Sequence, residues 1–234
     1  MKNDNSFHEA NNMRTLSIDI IDNQCKVDFH IDNNQDIFPF LESLFRWAKD
    51  IKKINLKLYF DLKLLTIEKI IKIFEKLSFF GEVDLHLLNL KEFPIELFEF
   101  PNFTISSLAM ERCESEIPET IFWLKNLRSL SLKNKKIKSL PSAISNLTEL
   151  EILDISDNLL EDLPDALSQL TKLRKLNLNN NQFQKLPECI YKLDNLESLY
   201  IKLNHLTETS DASIRYFLGK LYTILPHLRK VDFI

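Results

Sequence analysis

Apolar residues recur with a constant spacing along the second half of the chain. Leu127, Leu150, Leu173 and Leu196 are separated by three equal steps of 23 residues. After each of these leucines, apolar residues return at the fourth and sixth positions, and a Leu-Pro pair follows in the first three segments. A fixed period of this length is typical of proteins built from stacked repeats.

Each repeat begins with a short alternation of apolar and polar residues. In one repeat Leu153 and Ile155 flank Asp154, so the two apolar side chains lie on one face of an extended segment and the carboxylate on the other. The pattern therefore predicts one strand per repeat, buried on one face. The proline that follows fixes its own φ and restricts the residue before it, which favours extended or 3₁₀ structure on the outer side.

The full template, L-x-x-L-x-L-x-x-N-x-L-x-x-L-P-x-x-I-x-x-L, resembles that of leucine-rich-repeat proteins, in particular the 23-residue Leu-Pro type common in bacterial and intracellular eukaryotic proteins. The resemblance is close over residues 127–206. It implies an α/β solenoid, or horseshoe, with a parallel β-sheet on the concave face. Mostly extended or 3₁₀ outer segments are expected in the central repeats, and helices near both ends.

The template continues upstream less regularly. Phe80, Val83 and Leu85 fit its first, fourth and sixth positions, and Ile105, Leu108 and Met110 fit the same positions of a later repeat. The repeats are therefore expected to begin near Phe80.

The ninth position of the template carries an asparagine. The resemblance implies that these side chains bond to the backbone of neighbouring turns and form a structural ladder, which would satisfy peptide groups that no regular element reaches. The residues concerned are Asn158, Asn181 and Asn204.

The two ends differ from the middle, as expected for a repeat stack that needs caps. Residues 1–234 are interpreted as one solenoid: an amino-terminal cap with a hairpin and longer helical repeats (1–79), repeats of about 23 residues (80–206), and a carboxyl-terminal helix and last strand (207–234). Within these parts, apolar spacing predicts a hairpin at 16–31, helices at 36–49 and 66–77 with a strand at 51–58 between them, a helix from Ser210 or Asp211 to about Ile224, and a last strand at 228–233.

Charge and cysteine usage limit the classes of partner and compartment. The net charge is −4, from 30 basic and 34 acidic residues, so no bulk attraction to nucleic acid or to anionic membranes is expected. No apolar run approaches the roughly 18 residues of a membrane span. Three scattered cysteines and the lack of a secretory signal favour a cytoplasmic protein, with non-classical export left open. The protein is also expected to be a monomer.

Candidate chemistry is sparse. The two glycines, Gly81 and Gly219, exclude glycine-rich phosphate loops, and the five histidines form no metal-ligand motif. We therefore expect no cofactor, no metal and no catalytic residue, and the protein is interpreted as a non-enzyme.

The sheet positions not needed for the core are the candidate binding surface. Template positions three, five, seven and eight face away from the leucines, and they include the apolar Ile152 and the aromatic Tyr200, a residue type that interfaces favour. The predicted partner-binding residues are Glu111, Arg112, Lys133, Ile152, Asp154, Ser156, Asp157, Lys175, Asn177, Asn179, Tyr200 and Lys202.

As the resemblance implies, this surface is expected to bind a protein, which would be a host protein if the source is a pathogen. Three alternatives stay open. One is an effector-like or regulatory protein that targets or inhibits an enzyme. Another is a structural protein that associates with itself through a terminal edge strand near Val231. The third is a polar sheet that merely faces solvent.

Overall fold

The computed structural model describes residues 117–207 and 211–233, five strands that precede them, and the single residues Glu68, Lys72 and Glu75. The chain forms two compact units, Met1–Ser115 and Glu116–Ile234. Within each unit, strands that are neighbours in the chain pair with one another.

The first unit begins with the predicted hairpin. Strand β1 pairs antiparallel with β2, so that Leu16 faces Phe29, and the parallel strands β3, β4 and β5 follow. The bounds of these strands are Leu16–Ile21 (β1), Gln24–Ile31 (β2), Lys53–Asp61 (β3), Glu82–Leu88 (β4) and Thr104–Glu111 (β5).

Part of the second predicted helix can be compared with the structure. Glu68, Lys72 and Glu75, which fall within the helix predicted at 66–77, are helical. The Lys72 ammonium lies 3.0 Å from the Glu68 carboxylate, at the four-residue spacing that brings side chains together on a helix. The helix predicted at 36–49 lies outside the described residues.

The predicted alignment of the two early repeats is wrong by three residues at Val83 and by two residues from Asp84 onward. That alignment gave Val83 and Leu108 the same position, but the sheet pairs Leu108 with Leu85 and Val83 with Ile105, and the register shifts after Val83. A shift of two residues leaves every side chain on the same face. Apolar alternation could not have detected it.

The second unit contains the regular repeats. Its strands are parallel, and Leu130, Leu153, Leu176 and Leu199 align across four of them with no exposed surface. Their alignment confirms the 23-residue period in physical terms, because equivalent leucines stack into one apolar core. The strands are Ser129–Ser131 (β6), Ile152–Asp154 (β7), Lys175–Asn177 (β8), Ser198–Tyr200 (β9) and Lys230–Asp232 (β10).

The outer side of these repeats is made of 3₁₀ helices, as predicted. Each begins directly after a proline in extended conformation, and each is five residues long. They span Glu119–Trp123, Ser142–Asn146, Asp165–Gln169 and Glu188–Lys192. An α-helix follows at Asp211–Ile224, which confirms the helix predicted near the carboxyl end.

One turn position in every regular repeat has a left-handed backbone. Asn134, Asp157, Asn180 and Leu203 have φ values between 53° and 57° and are spaced 23 residues apart. Asparagine and aspartate tolerate this conformation better than other side chains. Three repeats therefore carry a suitable residue at the turn, and the last carries a leucine.

The residue after this turn is the template asparagine. The Asn181 amide nitrogen donates to the carbonyl oxygens of Ile155 and Leu178 at 3.0 and 3.1 Å, and its oxygen accepts the Leu160 N–H at 3.0 Å. Asn158 and Asn204 make equivalent bonds. Each side chain thus joins its own repeat to the one before.

The leucine rows give a direct test of the core. Leu176→Ala should lower the free energy of unfolding by about 2–5 kcal/mol, because a fully buried side chain is removed. Chemical denaturation would measure the change, with the exposed Lys185→Ala as the matched control. Equal stability of the two variants would contradict the assigned core.

The asparagines give a second test, which depends on their burial. Asn181 is 4% exposed, whereas Asn204 is half-buried. Asn181→Ala should cost about 3 kcal/mol, since it leaves buried peptide groups without partners, and Asn204→Ala should cost less because water reaches its turn. Denaturation of both variants compares the two costs, and a larger loss for Asn204→Ala would be inconsistent with this explanation.

Candidate functional site

The open face of the second unit consists of the strand and turn side chains that point away from the buried leucines. They come from template positions three, five, seven and eight of successive repeats, so they form rows across the sheet. We define the open face by Ser129, Ser131, Lys133, Asn134, Ile152, Asp154, Ser156, Asp157, Lys175, Asn177, Asn179, Asn180, Ser198, Tyr200, Lys202, Leu203, Lys230 and Asp232.

The centre of the open face is a hydrogen-bonded group around Asp154. One carboxylate oxygen of Asp154 accepts from the Ser156 N–H at 3.0 Å and from its hydroxyl at 2.6 Å. The other oxygen accepts from the Asn177 amide at 3.0 Å. Asp154 is held in place by these bonds, but it remains half-exposed.

Ser156 does not lie on the accessible surface. It is 3% exposed, and its hydroxyl donates to the Asp154 carboxylate. Ser156 is among the residues predicted to contact a partner, but its buried side chain bonds to a neighbour within the sheet.

A second pair of contacts fixes Asp157. The Asn180 amide donates to its carboxylate at 2.7 Å, and the Lys133 ammonium lies 3.2 Å away. The Asn180 hydrogen bond, followed by the bond and charge of Lys133, lowers the pKa of Asp157 below its ordinary value of 3.8, against the opposing effect of burial. Asp157 is therefore ionised at neutral pH and already paired.

Tyr200 lies on β9, between β8 and β10. The Lys175 ammonium lies 5.3 Å and the Lys230 ammonium 4.9 Å from the centroid of its ring. Such cation–π contacts contribute about 0.5–1 kcal/mol each at exposed sites. On the neighbouring turn row, Lys202 forms an ion pair with Asp232 at 2.8 Å, and its N–H donates to the Asn179 side chain at 2.7 Å.

Two apolar side chains on the open face are exposed. Ile152 is 40% exposed and Leu203 is 76% exposed. Leu203 also has the left-handed backbone of its turn, with φ 56°. A bulky residue in that conformation costs about 1–2 kcal/mol, so Leu203 combines backbone strain with an exposed apolar surface.

The remaining predicted residues fall elsewhere. Glu111 is the last residue of β5 in the first unit, and Arg112 lies outside the described residues. Sequence reasoning missed Lys230 and Asp232, although Leu228, Val231 and Phe233 repeat the template spacing and could have located them.

It also missed a row of charges at template position two, where arginine and glutamate alternate from repeat to repeat. In this row the Arg174 guanidinium lies 2.7 Å from Glu197, and this contact raises the arginine pKa. The signal was present in the 23-residue spacing of Arg128, Glu151, Arg174 and Glu197, with Arg229 continuing the row.

Other chemistry is limited over the described part of the chain. There, no three His, Cys, Asp or Glu side chains come together in a metal-holding group. Burial, followed by the charges of Asp162 and Asp165, raises the pKa of Cys189 to about 12, so its thiol is a poor nucleophile. No helix in this part has the length and apolar character needed to cross a membrane.

Comparison with known proteins points to one family. Residues 95–232 match the family model described as leucine-rich repeat region. A comparison of the sequence with curated proteins finds no match.

Several solved structures share the fold. An internalin (inlF) from Listeria monocytogenes str. 4b F2365 has a TM-score of 0.55 at 19% identity, over 86% of this chain and 53% of that one. The TLR13–ssRNA13 complex has a TM-score of 0.56 at 23% identity, over 86% of this chain and 30% of that one. The plant peptide hormone receptor RGFR1 in complex with RGF2 has a TM-score of 0.50 at 20% identity, over 77% of this chain and 27% of that one. The chain thus spans only part of each of these proteins.

The titration of Asp157 tests the electrostatics of the open face. Asn180→Gly removes the amide donor and keeps a residue that tolerates positive φ, so the pKa of Asp157 should rise towards 3.8. A carboxylate with a lowered folded pKa contributes stability at neutral pH that is lost as the pH falls through that pKa. The variant should therefore lose less stability than the wild type on acidification below 3.8.

Carboxyl-carbon NMR would measure this pKa directly. Lys133→Met should also raise it, since the ammonium contributes a further lowering. An unchanged pKa in Asn180→Gly would show that the hydrogen bond has no effect in solution.

Proposed function

Because the chain belongs to the leucine-rich-repeat family, we propose that it is a binding protein rather than an enzyme and that its open face holds a protein partner. Leucine-rich-repeat sheets leave one face unused by the core, and here that face carries ordered polar groups beside exposed apolar ones. The centre of the contact is formed by Lys133, Asp154, Asn177, Tyr200 and Lys202.

The observation that carries the proposal is Leu203. Equivalent turns in the other regular repeats carry Asn134, Asp157 and Asn180, which suit a left-handed backbone and are polar. Leucine at this place is unfavourable for the backbone and for solvation. Leu203 loses stability through its strained backbone and through its exposed apolar surface, and a partner that covers it would explain why leucine is found there.

Charge supports a protein partner over a nucleic acid. The TLR13 structure contains an ssRNA and the RGFR1 structure contains RGF2, so the fold serves more than one kind of ligand. This chain has a net charge of −4, and Asp154 and Asp157 lie in the middle of the open face. A continuous phosphate backbone would meet these carboxylates, whereas a folded protein can place basic groups against them.

The further identity of the protein is also a proposal. We propose a monomeric cytoplasmic protein; the scattered cysteines and the free, buried Cys189 support the cytoplasmic location. A role as a bacterial effector or an enzyme regulator would use the same face. Self-association through β10 would instead appear in light scattering as a concentration-dependent mass.

Exchange of Leu203 tests the proposal. Leu203→Asn should raise the free energy of unfolding by about 1 kcal/mol, because asparagine tolerates the left-handed turn, and it should reduce capture of the partner from lysates of the source cells. Tyr200→Ala combined with Asp154→Ala should also reduce capture.

The matched control is Tyr216→Asn. Tyr216 is 77% exposed on the helix Asp211–Ile224, away from the open face, so the loss of apolar surface is comparable and capture should be unchanged. Undiminished capture by both open-face variants would place the binding site elsewhere.

A further inference from the structure

We propose that Lys175, Tyr200 and Lys230, here called the lysine–tyrosine cluster, bind carboxylate side chains in an acidic segment of the protein partner. This inference rests on the proposed function and adds the chemistry of the partner. The cluster lies at the end of the open face formed by β8, β9 and β10.

The sheet register brings the two lysines together. Lys175 and Lys230 both pair with Ser198, one from each side of β9, and Tyr200 stands two residues further along the same strand. Strands are about 4.8 Å apart, so the two lysine backbones are about 10 Å apart. Their ammonium groups lie 5.3 and 4.9 Å from the same ring centroid.

The two ammonium groups differ from the other open-face cations in their partners. Lys133 is paired with Asp157 at 3.2 Å and Lys202 with Asp232 at 2.8 Å. For Lys175 and Lys230, the described residues provide no carboxylate within ion-pair distance. Two positive charges thus lie near one ring, 5.3 and 4.9 Å from its centroid, and an anionic group that binds beside them is attracted by both.

The surroundings of the cluster select an acidic protein segment. A polyanion such as RNA would extend over the Asp154 carboxylate on the same face and be repelled by it, whereas a peptide can confine its carboxylates to the cluster. Leu203, in the turn that follows β9, offers an apolar surface for a side chain of the same segment. A carboxylate that binds either ammonium group gains charge-assisted hydrogen bonds.

The test uses a phage-displayed library of random 12-residue peptides as the probe, selected on the full chain. We expect the selected peptides to be enriched in aspartate and glutamate. A synthetic peptide from this set should bind Lys175→Gln/Lys230→Gln at least tenfold more weakly than the wild type. Lys175→Arg/Lys230→Arg, which keeps both charges, should bind within about threefold of the wild type.

The matched control is Lys185→Gln/Lys192→Gln, which removes the same charge from two exposed lysines off the open face and should not change the Kd. Thermal unfolding of each variant verifies that it is folded. Raising the salt concentration from about 0.1 M to 1 M shortens the Debye length from about 10 Å to 3 Å, so wild-type affinity should fall, and the residual affinity of Lys175→Gln/Lys230→Gln should fall less.

The outcomes separate this inference from the proposed function. Peptides that bind the open face without acidic enrichment, or that bind Lys175→Gln/Lys230→Gln as tightly as the wild type, overturn the acidic-segment proposal and leave the protein-binding function standing. Peptides that bind Leu203→Asn and the Tyr200/Asp154 double variant unchanged, or no retained peptides at all, overturn both. Single-stranded RNA that displaces the peptide from the same lysines overturns the assignment of the partner as protein.

Discussion

The hydrogen bonds of the template asparagines are the constraint on which the regular repeats depend. After a strand of only three residues the chain must turn, and the peptide groups inside the turn have no regular partner. Asn158 and Asn181 supply that partner from a buried position, reaching both their own turn and the preceding repeat. These bonds hold each turn at a fixed offset from the turn of the repeat before it.

A constant period turns each template position into a row of side chains, and the chemistry of the surface follows from the rows. At position two opposite charges alternate, as in the contact between Arg174 and Glu197, and at position eight an asparagine meets an aspartate. Shifting one repeat against another would break such pairs. Most polar side chains on the open face are bonded to neighbours within such rows. The lysine–tyrosine cluster, whose lysines have no carboxylate partner among the described residues, and the apolar Leu203 are exceptions.

Leucine spacing was sufficient to predict the strands, the 3₁₀ segments and the asparagine positions of the second unit, because each depends on residues a fixed distance apart. It failed between β4 and β5, where a two-residue shift preserves the alternation of faces. It also placed Ser156 on the surface, since alternation cannot show that neighbouring side chains cover a serine whose hydroxyl bonds to Asp154. Leucine does not by itself indicate a left-handed turn. The turn at Leu203 can be predicted only from the equivalent positions Asn134, Asp157 and Asn180 in the other repeats.

The burial of Cys189 has a consequence for measuring motion in the repeats. With its pKa raised to about 12 and only 1% of its surface exposed, the thiol is almost entirely protonated at neutral pH, and reagents that require the thiolate have almost nothing to attack. Its labelling must wait until the 3₁₀ segment Glu188–Lys192 opens. The rate at which this cysteine reacts therefore measures local opening in the interior of the stack, and no substitution is needed to introduce the probe.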